Sequence, residues 1–179
     1  MPATQVLVIA STNRPASLTR VVADKYRTLL EQQGAQTELL DLAYLPADFT
    51  HSALYRHAGQ HPNFNQLLER LRRYRKYVFV VPQYNGSFPG VLKAFIDGIP
   101  QPKALFQGRK CALVGVSQGR QGAIMGLSHL SDIFHYLGMS VLAMQPKLHS
   151  VAAPTEEALA AHPGYLERLQ AQVAALLTF

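Results

Sequence analysis

The sequence predicts an α/β fold: a five-stranded parallel sheet of order 2-1-3-4-5, covered by helices on both faces in a three-layer sandwich. Three observations carry this. Short apolar runs rich in β-branched residues recur along the chain, and each is too short for a helix of typical length. Each run is followed by a segment with apolar residues at helical spacing. The joints after the runs are polar or glycine-bearing, which suits loops at the carboxyl edge of a parallel sheet, where such sheets bind ligands. Strands alternating with helices imply right-handed crossovers.

Taken in order, Gln5 to Ala10 is the first strand. The loop Ser11-Thr12-Asn13-Arg14-Pro15-Ala16-Ser17 leads into a helix carrying Leu18, Val21, Val22, Leu29 and Leu30, which Gly34 stops. Thr37 to Leu42 is the second strand. Tyr44 to Pro62 reads as irregular, with Pro46, Gly59 and several aromatic residues, and a connection of that length is more often functional than idle. A second helix runs from about Asn63 to Lys76, turning Phe64, Leu67, Leu68, Leu71 and Tyr74 inward.

Tyr77 to Val81 is the third strand, ended by Pro82. Asn85 and Gly86 are turn formers in the loop that follows, and Pro89-Gly90 opens a helix with Val91, Leu92, Phe95 and Ile96 on one side. Lys110 to Ser117 is the fourth strand, Gln118 to Gly122 opens a helix ending at Gly138, and Val141 to Met144 is a short fifth strand. A piece from Thr155 to Ala161 is cut off by Pro163-Gly164, and Tyr165 to Leu177 forms an amphipathic tail. In the 2-1-3-4-5 order the loops at Ser11 and Pro82 flank one crevice, with the loop at Gln118 beside them.

Composition bounds the function. The 179 residues suffice for one domain, 1–179, with a real core. Apolar residues make up 48% and charged ones 16%, which argues against disorder. No run approaches a membrane span, and the amino terminus enters a strand without leader features, so a cytoplasmic protein is expected. Cys111, the sole cysteine, sits in an apolar run and reads as a buried small hydrophobe. The net charge of +6 concentrates at Arg70, Arg72, Arg73, Arg75 and Lys76, at a helix end where cations complement the macrodipole. No nucleic-acid motif accompanies them. His57 and His61 have helical ligand spacing but lack an acidic third ligand, so no metal site is expected.

The loop at Ser11 carries hydroxyls, an amide and a guanidinium just before a helix amino terminus. That arrangement suits an anion: Ser11, Asn13 and Ser17 can add hydrogen bonds and Arg14 charge. An N-cap role explains Ser17 but not the other three. There is no G-x-G-x-x-G and no Walker lysine.

Pro82-Gln83-Tyr84-Asn85-Gly86-Ser87-Phe88-Pro89-Gly90-Val91-Leu92-Lys93 resembles the P-E-Y-N-x-S-x-P-G-x-L-K signature of the NAD(P)H-dependent FMN reductase family, with Gln83 for the usual Glu. Ser11 to Ser17 resembles that family's phosphate loop, with Ala10 for a glycine and one extra residue before Arg14, so Asn13 and Arg14 are alternative phosphate contacts. Ser117-Gln118-Gly119-Arg120-Gln121-Gly122 resembles its S-x-G-x-x-G segment. The resemblance implies a flavodoxin-like fold and an FMN phosphate at Ser11 to Thr19, Leu18 included. It also implies a flavin ring wrapped by Pro82 to Phe88, with the Asn85 N–H toward the ring, and Ser117, Gln118, Gly119 and Arg120 at the pyrimidine edge.

The implied activity is FMN-dependent electron transfer from NADPH or NADH to a small acceptor: a quinone, a flavin, an azo compound or a metal oxyanion. No catalytic side chain is implied, because the cofactor carries the chemistry. A flavodoxin-type electron carrier and a flavin-free binding protein are the alternatives. The resemblance also implies a homodimer or a dimer of dimers; the missing nucleic-acid motif and membrane span leave no nucleic-acid or membrane partner expected. Tyr44, Leu45, Phe49, Leu54 and Tyr55 are the expected interface.

Overall fold

The structure, a computed structural model, describes residues 3–179. Strands β1 (Gln5–Ala10), β2 (Gln36–Asp41), β3 (Lys76–Pro82) and β4 (Lys110–Val116) pair in parallel, and two short strands, β5 (Ser140–Val141) and β6 (Lys147–Leu148), share the edge beyond β4. The order is β2-β1-β3-β4-β5, that of the flavodoxin-like fold the resemblance implies.

Each inner strand is buried on both faces, which is why these segments read as continuous apolar runs. One face, through Leu7, Ile9, Tyr77, Phe79 and Val81, packs against α3 (Pro62–Arg73), α4 (Gly90–Asp97), α5 (Pro102–Phe106) and α6 (Ile124–Tyr136). The other, through Val6, Val8, Val78, Val80 and Val114, packs against α1 (Leu18–Gln32), α7 (Glu156–Ala160) and α8 (Tyr165–Thr178). Aromatic rings fill the first core: Phe79 and Phe134 have centroids 4.6 Å apart, and Phe64 meets Phe95 edge-on at 5.8 Å.

The fifth strand departs from the expected Val141 to Met144. It starts one residue earlier, breaks after Val141 and resumes at Lys147. Between its two paired segments β4 advances four residues, from Cys111 to Gly115, while the edge chain advances six, from Val141 to Lys147. The surplus residues bulge outward, and Met144 lies in the bulge. Leu113 therefore loses its ladder partner, and α8 replaces it: Gln172 Nε2 donates to the Leu113 carbonyl at 2.9 Å and to the Met144 carbonyl at 2.6 Å.

The stretch 44–62 also differs from expectation. It holds a short helix, α2 (Phe49–Ser52), and folds onto its own sheet. Phe49 stacks on Phe64 at 5.7 Å, and Ala53 and Leu54 are buried with it, so Phe49 and Leu54 belong to the core. Tyr44 and Tyr55 stay exposed. His61 caps α3 by accepting the Phe64 N–H, and its other ring nitrogen lies 3.3 Å from Asp48. The arginine cluster sits at the α3 end as expected, and Arg70 donates there to Glu38 and to the Leu39 carbonyl. Cys111 is fully buried, and burial pushes its thiol up, far from a reactive thiolate.

Candidate functional site

Three loops leave the carboxyl edge of the sheet and meet. The first leaves β1 after Ala10, where the apolar run ends. Ser11 still donates its N–H to the Val80 carbonyl at 3.0 Å, and its fully buried hydroxyl turns back toward the Ile9 carbonyl at 3.4 Å. Thr12 then swings into the crevice, and its Oγ1 accepts the Arg14 N–H at 3.2 Å. Ala16 takes a left-handed turn, φ 49°, that delivers Ser17 to the N-cap of α1. Ser17 Oγ accepts the Arg20 N–H at 3.2 Å.

The first-turn N–H groups of Leu18 and Thr19 have no intrahelical partner. They point out of a 15-residue helix whose dipole favours negative charge at this end. The hydroxyls of Ser17 and Thr19 are nearly buried beside them.

The second loop is a tight hairpin. Tyr84 and Ser87 exchange both main-chain hydrogen bonds, each at 2.9 Å, around Asn85 and Gly86 with φ 49° and 78°. Two consecutive positive φ values define a type I′ turn, and Asn-Gly is its strongest sequence signal. The turn spends the N–H groups of Tyr84 and Ser87. Those of Asn85 and Gly86 have no acceptor among the described residues. Ser87 Oγ lies 2.9 Å from His129 Nδ1 on α6.

The third loop is held by Ser117, whose hydroxyl donates to the Gly119 carbonyl at 2.7 Å and accepts the Gly122 N–H at 3.0 Å. Gly119 also accepts the Ser150 N–H at 3.0 Å, which draws residues 151–154 to the site.

Together these loops enclose a cavity of about 260 Å³. Of the residues expected at the site, Arg14, Ser17, Leu18, Thr19, Pro82, Gln83, Tyr84, Ser117, Gln118 and Gly119 line it. Ser11, Asn13, Asn85, Gly86, Ser87, Phe88 and Arg120 do not. Ser11 is buried behind the loop, and Asn13, Asn85, Gly86 and Arg120 are exposed at the rim. Phe88 packs against the core.

Thr12, Ala16, Val116, Val151, Ala153 and Pro154 line the cavity without having been singled out. Thr12 carried a signal, since it sits inside the polar loop. Residues 151–154 carried none, because they reach the site only through the unexpected strand β6. No lining residue is acidic, and Arg14, the cation among them, forms no ion pair with the described residues. Nor do the described residues contain any group of three or more His, Cys, Asp or Glu arranged to hold a metal.

A parallel sheet of order 2-1-3-4-5, with a helix terminus and a hairpin at its switch point, defines a flavodoxin-like α/β protein. A family model described as NADPH-dependent FMN reductase matches residues 4–152, and the chain belongs to that family. Among curated relatives, a 2-hydroxy-1,4-benzoquinone reductase of a Burkholderia species is 36% identical over 74 residues, covering 40% of each chain. The NADPH-dependent FMN reductase ArsH of Rhizobium meliloti is 30% identical over 120 residues, covering 65% of this chain and 47% of that one. The chain thus spans about half the length of these relatives or less. Among solved structures, the flavoenzyme NAD(P)H:(acceptor) oxidoreductase FerB of Paracoccus denitrificans superposes with a TM-score of 0.76 at 23% identity, over 98% of this chain and 96% of that one. That likeness supports the flavodoxin-like fold.

Proposed function

We propose that the chain acts as one FMN-binding domain, 1–179, that oxidises NADPH or NADH and passes the electrons to a small acceptor, a quinone foremost. A flavin, an azo compound or a metal oxyanion are further acceptors of the same kind. One observation carries this reading: the free end of α1 opens on an acid-free cavity, and the free N–H groups of the hairpin stand at the rim of the same crevice. Bound there, FMN supplies the hydride-accepting and electron-delivering chemistry.

The chain's own work is to bind and orient. The N–H groups of Leu18 and Thr19, the hydroxyls of Ser17 and Thr19, and Arg14 hold the phosphate, with Asn13 at the rim as the alternative to Arg14. Ser11 shapes the loop from behind. Pro82, Gln83 and Tyr84 border the ring, Asn85 and Gly86 present N–H groups to it, and Ser87 and Phe88 anchor the hairpin. Ser117, Gln118 and Gly119 close the far edge, and Arg120 adds positive charge there. No Asp, Glu, His, Cys or Lys lines the cavity, which fits a site in which the cofactor carries the chemistry.

The cavity is smaller than the ~300–1,000 Å³ of pockets that enclose a whole drug-sized ligand, so part of the flavin ring lies outside it. A second copy of the chain covers that part in a homodimer or a dimer of dimers. Exposed Ile124 and Met125, at the start of α6 beside the hairpin, support this. No helix of the described residues is long and apolar enough to cross a membrane, and we assign the protein to the cytoplasm, without nucleic-acid or membrane partners.

The test begins with colour. The purified protein should carry, or take up, a yellow chromophore released on denaturation as FMN, and should oxidise NADPH when a quinone is added. A protein that binds no FMN at micromolar concentration would end the proposal. One that binds FMN but leaves NADPH untouched would be an electron carrier. Sedimentation of the FMN-loaded protein should give a dimer or tetramer, and an active monomer would remove the assembly from the reading.

A further inference from the structure

Thr12 and Tyr84 are 72 residues apart in the sequence and meet across the crevice, their hydroxyl oxygens 3.0 Å apart. Thr12 is only 1% exposed. A threonine hydroxyl has one proton and two lone pairs, so Thr12 can accept the Arg14 N–H and still bond Tyr84 in either sense. Tyr84 is the first residue of the hairpin, and Ser87 ties the hairpin's other side to His129 on α6. A continuous line of hydrogen bonds therefore runs from the α1 loop through the hairpin to α6. Among the described residues, the Thr12–Tyr84 pair is the one hydrogen bond joining residues 12–19 to residues 82–88.

The fold does not need this pair. Loop one is already fastened to β3 by the Ser11 N–H, and the Tyr84 main chain is already fastened by Ser87. The phenol oxygen adds a connection between two ends of one pocket that each strand holds separately.

We infer that Thr12 and Tyr84 form a latch coupling the phosphate end of the site to its ring end, so that the chain selects phosphorylated over unphosphorylated flavin by more than its direct phosphate contacts. This rests on the reading that FMN binds here. An anion on the Leu18 and Thr19 N–H groups fixes residues 12–19. Thr12 then holds Tyr84, and the hairpin that presents the Asn85 and Gly86 N–H groups is fixed by the same event. A ligand without a phosphate must order the hairpin unaided. The two ends thereby share a coupling free energy, which is reciprocal. Thr12 and Tyr84 are positioning residues in this scheme.

The experiment uses the whole chain, without NADPH, and measures dissociation constants for FMN and riboflavin by fluorescence quenching. The variants are Tyr84→Phe, Thr12→Val, the double variant and Thr12→Ser. Tyr84→Phe should lower the preference for FMN over riboflavin by about three- to tenfold, the range of one hydrogen bond, by weakening FMN more than riboflavin. The double variant should be no worse than the worse single one, and Thr12→Ser should keep the original preference. An unchanged preference in Tyr84→Phe, or two single effects that simply add, would overturn the latch.

A second readout needs no flavin. Inorganic phosphate should slow amide exchange across residues 84–88 in the unmodified protein and not in Tyr84→Phe. Equal slowing in both refutes the coupling. Should the unmodified protein bind neither flavin, the oxidoreductase reading fails, and the phosphate experiment still decides the latch.

Discussion

Gly126 on α6 presses against Ser87 of the hairpin with no room for a side chain between them. A Cβ at Gly126 would lie 2.8 Å from the Ser87 carbonyl carbon and 2.9 Å from its oxygen, with the Phe88 nitrogen also at 2.9 Å. All three are main-chain atoms, so relief requires the hairpin or the helix to move. Gly126→Ala should therefore shift the hairpin and weaken FMN binding by about tenfold or more, since misplacement by a fraction of an ångström removes directed contacts. FMN titration checks this. Unchanged affinity would mean that the hairpin does not reach the flavin.

Asn85 sits at φ 49°, where glycine and asparagine are at ease and a Cβ-bearing alanine is strained by about 1–2 kcal/mol. FMN affinity should follow the order Asn85→Gly close to the unmodified chain, Asn85→Ala several-fold weaker, and Asn85→Pro far weaker. Proline cannot adopt this φ and removes the N–H. An Asn85→Pro variant that still binds FMN normally would exclude the main-chain contact.

Ser17 and Ser11 should separate. Ser17→Ala removes an N-cap at a cost of about 1 kcal/mol and should also narrow the affinity gap between FMN and riboflavin. Ser11→Ala removes a hydroxyl turned toward the Ile9 carbonyl and should leave that gap unchanged. Paired titrations with the two flavins read both. A larger effect from Ser11→Ala would place the phosphate deeper than loop one allows.

Gln172 is fully buried and supplies the donor that the broken fifth strand withholds from Leu113. Gln172→Leu should leave the Leu113 carbonyl buried and unpaired and lower stability by about 1–3 kcal/mol, seen as a lower urea midpoint. FMN affinity should be unaffected, because α8 lines no part of the pocket. An unchanged midpoint would mean that water fills the gap.

Tyr26 carries a buried hydroxyl without a partner among the described residues. Tyr26→Phe should raise stability by about 1 kcal/mol. Burial pushes the Tyr26 and Tyr77 phenols up, and desolvation aided by Glu38 pushes Tyr74 up to about 12. A folded-state value above the unfolded one, about 10, means that the folded chain holds these protons more tightly. Their contribution is complete below pH 10 and is lost as the pH climbs from 10 through 12 for Tyr74. Urea midpoints should be level from pH 7 to 9 and fall above 10, with a shallower fall in Tyr26→Phe. A midpoint that rises with pH above 10 would contradict this.

The inner sheet was readable from residues alone because strands buried on both faces must be apolar throughout. Gln5 to Ala10 matches β1 residue for residue, and Tyr77 to Val81 lies inside β3. Asn85-Gly86 announced a tight turn through its tolerance of positive φ, and Ser17 announced a helix start through its short hydroxyl. These are local rules, and they place two of the three loops.

Edges and side-chain directions follow other rules. A two-residue strand such as β5 has too little pattern to fix its bounds, and its break is offset by Gln172, on a helix 59 residues after Leu113, which supplies the missing hydrogen bond. Phe49 reads as an exposed aromatic until Phe64 is seen beside it. Ser11 and Thr12 are adjacent hydroxyls in one polar loop, yet one faces the strand behind it and the other faces Tyr84 across the crevice. The order of residues determined which segments are strand, helix and loop, because those depend on neighbours in the chain. Which hydroxyl points into the pocket depends on where the ladder to β3 ends, and that was decided only when β1 and β3 were brought side by side.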